Sequence, residues 1–310
     1  MQQVDPTDIE KVLNAEHYDP FQVLGLHPVE VTPEGTEKCV VRVFLPQARS
    51  IFVLLKDGTE KELKRTREPG LFEAEVLKHE VDIHYKLKAV HDSGYETTFV
   101  DPYTFLPILS DYDRYLFNQG KHHFIYEKLG AHVEEIDGIE GTVFRVWAPN
   151  ALRMSVVGEF NNWDGRVHMM RVLGSSGIWE LFIPGIGEGA LYKFEIKPAN
   201  GAPFVKSDPY AFYSERRPKT ASIVYRLSKH TWNDQKWQET KEKTNPFESP
   251  MAIYEVHLGS WKKPKNDPNS FYNYREIAVK LVNYVKEMGY THIELLPIMA
   301  HPLDSSWGYQ

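Results

Sequence analysis

The chain is expected to be multidomain: two tandem all-β sandwiches of the immunoglobulin-like kind, followed by the first βαβ part of an incomplete (β/α)8 TIM barrel. Three observations predict this. A block of about a hundred residues occurs twice, and each copy is written in short alternating runs separated by Gly, Pro, Asn and Asp. After residue 249 the pattern changes to strand, helix, strand.

The duplication is explicit. Val40-Val41-Arg42-Val43-Phe44-Leu45-Pro46 recurs as Val143-Phe144-Arg145-Val146-Trp147-Ala148-Pro149, an offset of 103 (46 to 149). Further on the offset is 107: Leu71-Phe72-Glu73 matches Ile178-Trp179-Glu180, Tyr85-Lys86-Leu87 matches Tyr192-Lys193-Phe194, and Asp101-Pro102-Tyr103 matches Asp208-Pro209-Tyr210. Four residues are therefore inserted in the second copy between Pro149 and Ile178 (107 less 103), the stretch that holds Val157 to Gly165. Along Thr142 to Ala148, the side chains of Val143, Arg145 and Trp147 point one way and those of Phe144, Val146 and Ala148 the other, so one face is expected to be core.

Residues 1–110 are read as the first sandwich with a short leading helix. Asp5 is its cap, Pro6 lies in its first turn, and Ile9, Val12 and Leu13 share one side. Residues 111–227 form the second sandwich. Residues 228–248 are polar and charged, relieved only by Trp232, Trp237 and Phe247, and read as a linker pinned by those aromatics. Residues 249–310 read as the start of a barrel. Met251 to Val256 and Thr291 to Leu296 suit strands buried on both faces. Between them Ile277, Ala278, Leu281, Val282, Val285 and Met288 recur at helical spacing, with Asn273 and Glu276 as a capping pair and Gly289 as the stop. A closed barrel takes roughly 250 residues, so a truncated one is expected.

Composition narrows the function. A net charge of −7 and a pI near 6.0 argue against nucleic acid and favour a neutral ligand. The single cysteine, Cys39, excludes an intramolecular disulfide and is expected to be a small buried hydrophobe in a reducing cytoplasm. Met1 to Asp5 carry no basic or apolar leader, and no apolar run approaches a membrane span, so neither secretion nor a membrane partner is expected.

Two segments carry binding chemistry. A sugar ring offers an apolar C–H face and a rim of hydroxyls, which an aromatic plate edged by amides and carboxylates would match. Trp163, beside Asn161, Asn162 and Asp164, supplies that set, and Lys193, on the strand Leu191 to Ile196, can donate to hydroxyls. The alternative is a turn built on Asn-Asn and Asp-Gly with the tryptophan folded into the core. The second segment, His301 to Tyr309, follows a barrel strand at the end where barrel enzymes build their sites. Tyr309 and Trp307 can stack on sugars and Asp304 can accept from hydroxyls, although packing is an equal alternative. No carboxylate pair is spaced for glycoside chemistry; Glu255 and Glu294 read as satisfied polar positions in barrel strands. The thirteen histidines show no metal spacing, His122-His123 reads as solvated surface, and no phosphate-binding glycine loop occurs, so neither metal nor cofactor is expected.

Several segments together resemble the N-terminal part of bacterial 1,4-α-glucan (glycogen) branching enzymes of the α-amylase superfamily. They are Asp19-Pro20-Phe21 with Leu24 to His27, Gly141 to Ala151, Val157 to Arg166, Ile253 to Trp261, and Glu294 to Ile298 running through Ser306 to Gln310. The resemblance implies a second sandwich of carbohydrate-binding type and a barrel whose catalytic aspartates and glutamate lie beyond this chain, so no catalytic residue is assigned within it. It implies cleavage of an α-1,4-glucan chain and its transfer to a 6-hydroxyl, by retaining double displacement, in glycogen synthesis. Tyr309 matches the tyrosine of the subsite that holds the sugar to be cleaved, with Asp304 and Trp307 in the same loop, and Trp163 and Lys193 match glucan-contacting positions. Ala300 and Ser305 depart from the pattern of that loop. The second tryptophan of related modules has no counterpart near Ala202-Pro203, which implies weak glucan affinity. The rival readings are a non-catalytic α-glucan-binding protein and a debranching or trehalose-releasing member of the superfamily.

Overall fold

Asp5 opens the first helix, α1 (Pro6–Leu13): its carboxylate accepts the Thr7 backbone N–H at 2.8 Å, and Pro6 occupies a turn that needs no donor. In the computed structural model, residues 4–309 are described apart from 32, 34, 217, 228, 229, 300, 302, 304 and 305. The chain divides into two units, Met1–Lys229 and His230–Gln310.

In the first unit, the first copy forms seven strands: β1 (Gly25–Val31), β2 (Glu37–Phe44), β3 (Ala48–Leu54), β4 (Glu60–Arg67), β5 (Leu71–Leu77), β6 (Lys86–His91) and β7 (Glu96–Val100). They pair in the order β1-β2-β5-β4-β3-β6-β7, antiparallel throughout. The sheet curls over its own apolar face, so that Val41 and Phe72 share one buried cluster with Ile51 and Leu87. Cys39 lies in that cluster, and burial pushes its thiol pKa up.

The second copy begins with α2 (Asp111–Asn118), capped by Ser110 Oγ, which accepts the Asp113 N–H. Its strands are β8 (Gly130–Ile136), β9 (Ile139–Trp147), β10 (Ala151–Gly158), β11 (Arg171–Val172), β12 (Ile178–Pro184), β13 (Leu191–Pro198), β14 (Phe204–Lys206), β15 (Tyr213–Ser214) and β16 (Ser222–Ile223). One sheet runs β11-β12-β9-β8, and the other runs β10-β13-β16-β15 with β14 beside β13. Phe144 and Leu181 from the first meet Val156, Tyr192 and Phe194 from the second in one buried cluster.

The alternation along β9 holds for Phe144 and Val146, but its other face is covered as well at Val143 and Arg145 and open at Trp147. Val143 packs with Phe105 and Phe182, while Arg145 is buried on Glu180 at 2.8 Å. The same carboxylate accepts the Ile108 and Leu109 backbone N–H groups, each at 2.8 Å. The stretch joining the two copies is laid across this face, a contact that a period along one strand cannot reveal.

The repeat also runs further than the strand motifs. The caps Asp5 and Ser110 stand 105 residues apart (5 to 110), as do Leu24-Gly25-Leu26-His27 and Leu129-Gly130-Ala131-His132 (24 to 129). Each glycine has a left-handed φ, 96° and 101°, and presses so close to the carbonyl of Tyr103 or Tyr210 that a Cβ would crowd it. Each histidine donates through Nε2 to the carbonyl three residues back, His27 to Leu24 O and His132 to Leu129 O, both at 2.9 Å. Tyr85 donates to Asp101, and Tyr192 to Asp208, both at 2.5 Å, and burial lifts both carboxyls to about 6.

The two copies share a third cluster, in which Val12, Leu24, Phe44 and Leu71 close over Met169. Tyr103 accepts the Met169 N–H at 3.0 Å, and the Arg171 guanidinium lies 3.3 Å over the Phe21 ring. The Asp19-Pro20-Phe21 segment is thus part of the joint between them. His122, expected at the solvated surface, is mostly buried and bonds Asp113 at 2.8 Å beside the start of α2.

The second unit opens with α3 (Gln235–Lys243). The aromatics expected to pin this stretch are exposed, Phe247 at 97%; α3 has no apolar stripe to bury them. Then follow β17 (Ile253–Val256), α4 (Leu258–Trp261), α5 (Tyr274–Glu287) and β18 (His292–Leu295). The capping box of α5 is complete: Asn273 Oδ1 accepts the Glu276 N–H, and Glu276 accepts the Asn273 N–H, both at 3.0 Å. β17 and β18 pair in parallel, with Val256, Leu281 and Val285 buried between strand and helix. The strand, helix, strand reading is correct, but no barrel forms among the described residues: two strands cannot close a sheet on itself.

Candidate functional site

The Trp163 loop starts where β10 ends. Gly158 lies so close to Leu191 O and the Phe160 ring that a Cβ there would overlap both. Asn161 then folds inward: its Oδ1 accepts the Gly158 N–H at 2.9 Å, and its Nδ2 donates to Val156 O at 2.8 Å and to His168 Nδ1 at 3.0 Å. That last bond requires a neutral imidazole, and burial lowers the His168 pKa to about 4.

Asn162 and Trp163 follow, both left-handed with φ of 54° and 60°. Consecutive non-glycine residues there cost on the order of 1–3 kcal/mol each and persist only when their surroundings over-determine them. Part of the restraint is local: Trp163 N donates to Gly158 O at 2.9 Å. The rest comes from the first copy. Asn162 Nδ2 donates to Gln47 Oε1 at 2.8 Å, and Gln47 Nε2 donates to Asp164 Oδ2 at 3.1 Å. Asp164 also accepts from Arg166 Nε at 2.9 Å and Nη2 at 2.7 Å. Burial raises its pKa, but the Arg166 and Gln47 hydrogen bonds outweigh this and hold it below the usual carboxylate range.

Under the loop, Ser155 Oγ donates to Gly165 O at 2.5 Å. Arg153 donates to Glu195 at 2.7 Å and to Ala15 O at 3.0 Å. Gly165 sits against the Glu195 carboxylate with no room for a Cβ. Trp163 is 40% exposed and forms one wall of a hollow of about 550 Å³, with Pro203, Lys197 and Asn14 among the others. Lys193 pairs in register with Val157 at the base of the loop, and its Nζ donates to Thr220 Oγ1 at 2.7 Å.

The sequence reading placed a free polar rim around Trp163. The structure corrects that: Asn161 is a core residue, and Asn162 and Asp164 are engaged by Gln47. Gln47 itself was missed. The only trace of its role along the chain is the four-residue insertion, which marks the loop but not what it meets.

In the second unit, Trp307 and Tyr309 are exposed at 63% and 74%. Gly308 between them takes φ 87°, and its N–H donates to Ser306 Oγ at 2.9 Å. Asp304, Ala300 and Ser305 lie outside the described residues. Glu255 and Glu294, read as satisfied polar positions, are register partners across β17 and β18, and both are exposed. Among the described residues no cluster of His, Cys, Asp and Glu could hold a metal ion, and no helix is long and apolar enough to cross a membrane.

An exposed indole beside Pro203 and Lys197, on a loop held from behind, suits a neutral ligand with an apolar face and a hydroxyl rim; Lys193 does not line this hollow. Family comparisons point the same way. Residues 128–211, which contain both Trp163 and Lys193, match the model for carbohydrate-binding module 48 (isoamylase N-terminal domain). Residues 5–103 match that for the N-terminal domain of alpha-1,4-glucan branching enzyme GlgB. Both matches are thus to N-terminal modules of larger enzymes, one in each copy of the repeat.

Whole-chain relatives are more particular. Over 99% of its length the chain is 45% identical to the 1,4-alpha-glucan branching enzyme GlgB of Thermosynechococcus vestitus. Over 98% it is 47% identical to that of Methylococcus capsulatus, and over 97% it is 49% identical to that of Rubrobacter xylanophilus. It spans 40–42% of the length of these relatives. By sequence it matches the N-terminal part of these relatives along nearly its whole length. Among solved structures, a putative alpha amylase from Salmonella typhimurium overlaps 59% of this chain and 26% of its own, at 25% identity and a TM-score of 0.43.

Proposed function

We propose that this chain is the glucan-recognising N-terminal part of a 1,4-α-glucan branching enzyme of glycogen synthesis. Residues 1–110 are a first sandwich module, 111–227 a second of carbohydrate-binding type, 228–248 a linker, and 249–310 the start of a catalytic barrel. The supporting observation is that branching enzymes match nearly the whole chain at 45–49% identity, while the binding-module match falls on the residues around exposed Trp163.

In this reading Trp163 stacks on a glucose ring and Lys193 donates to its hydroxyls. Tyr309, Trp307 and Asp304 belong to the subsite of the sugar to be cleaved. An enzyme carboxylate displaces the glycosidic oxygen, which takes a proton from a second carboxyl. A 6-hydroxyl then displaces the first carboxylate and returns that proton, so configuration is retained. None of these carboxylates is assigned within residues 1–310.

Loss of an exposed aromatic plate removes roughly 1.5–3 kcal/mol of burial, about tenfold or more in affinity. Trp163→Ala should therefore run ahead of the wild-type chain in a native gel containing glycogen, and equal mobility would return Trp163 to a structural role. Branching is tested on amylose with a polypeptide that carries this chain as its N-terminal part. New α-1,6 linkages are expected, and none would sink the enzymatic half of the proposal.

A further inference from the structure

The geometry points to Gln47 as the positioning residue that presents Trp163 to glucan; we infer this on the reading of Trp163 given above. Gln47 lies in the turn between β2 and β3 of the first copy, where Leu45 bonds Gly70 O at 3.0 Å and Ala48 bonds Leu45 O at 3.1 Å. The turn is therefore fixed from both sides. From it one primary amide reaches the residues before and after Trp163, accepting from Asn162 at 2.8 Å and donating to Asp164 at 3.1 Å.

The polarity of this clamp is set at both ends. Asp164 is ionised and only accepts, so Gln47 must turn its nitrogen there and its oxygen to the Asn162 amide. Neither a carboxylate nor an aliphatic side chain at position 47 can serve both neighbours. What the clamp holds is the segment least able to hold itself, the left-handed pair Asn162 and Trp163. Asparagine visits that region readily, whereas a bulky residue such as tryptophan does not. Released, Trp163 would leave φ of 60° and turn its ring away from the Pro203 wall. The two copies have thus divided the work: the second carries the plate on its inserted loop, and the first, which lacks the insertion, carries the clamp.

The test uses maltoheptaose as the probe and the 310-residue chain. Gln47→Ala should weaken binding about tenfold, in the range of one or two lost hydrogen bonds, with a melting temperature close to wild type. Gln47→Glu should do the same by setting a carboxylate against Asp164. Adding Asp164→Asn, which restores a donor there, should recover affinity to within about threefold of wild type, a rescue that general destabilisation would not give.

A second readout needs no ligand. With fluorinated tryptophan, the Trp163 resonance, assigned by its loss in Trp163→Phe, should shift in Gln47→Ala. Unchanged affinity in Gln47→Ala while Trp163→Ala abolishes binding would overturn the inference, as would an unmoved resonance. If Trp163→Ala itself binds as well as wild type, the glucan reading fails, and the resonance alone then decides for or against the clamp. Should Gln47→Ala not fold, Gln47→Glu with and without Asp164→Asn supports the same comparison.

Discussion

Trp163 and Gln47 mark the two extremes of what single residues disclose. An indole among asparagines and aspartate on an insertion stands out along the chain, whereas a glutamine after a proline does not. His168 lies between these extremes: its neutral ring accepts from Asn161 and so braces the loop from inside. Unfolded, such a ring takes a proton near pH 6.5; folded, burial holds it off until about 4. Between those values the unfolded chain binds more protons, so the stability His168 contributes is whole above about pH 6.5 and is lost as pH falls towards 4. Denaturant unfolding should show the advantage of wild type over His168→Gln shrinking by on the order of 1–2 kcal/mol from about pH 7 to about pH 5. A constant gap would rule out a neutral, buried ring.

Elements were legible where their signals are local. The capped ends of α1 and α5 and the parallel pairing of β17 and β18 are as the spacing predicts. α3 was missed because it has no apolar period. β9 was read correctly on one face only, since its second cover, the stretch around Ile108 and Leu109, arrives from elsewhere in the chain. Cover also separates the strands in stability. β18 is exposed along its whole length, with Ile293 and Leu295 on its surface, whereas Gly141 to Val146 of β9 and Ile178 to Ile183 of β12 are buried on both faces. Hydrogen exchange should find the β17 and β18 amides among the fastest of any strand, with β9 and β12 protected until global unfolding. Equal protection of the two sheets would overturn this ranking.

At the scale of the first unit, the duplication is both the plainest fact in the sequence and the one whose meaning folding changed. Its strand motifs are legible along the chain, whereas the second capped helix, the paired Leu-Gly-x-His turns and the Tyr–Asp bonds stand out as repeats only in the structure. The resemblance to branching enzymes rests on contiguous segments too. What could not be read was that the copies are fastened together by Met169, Tyr103, Glu180 and Gln47, or that this joint consumes the polar rim expected around Trp163. Local pattern therefore suffices for the repeated strand motifs and for the ends of α1 and α5. Which polar groups face solvent and which hold a neighbouring module emerges only on folding. The two Gln47 bonds join residues 115 and 117 positions apart, and at such separations nothing in the order of side chains records who meets whom.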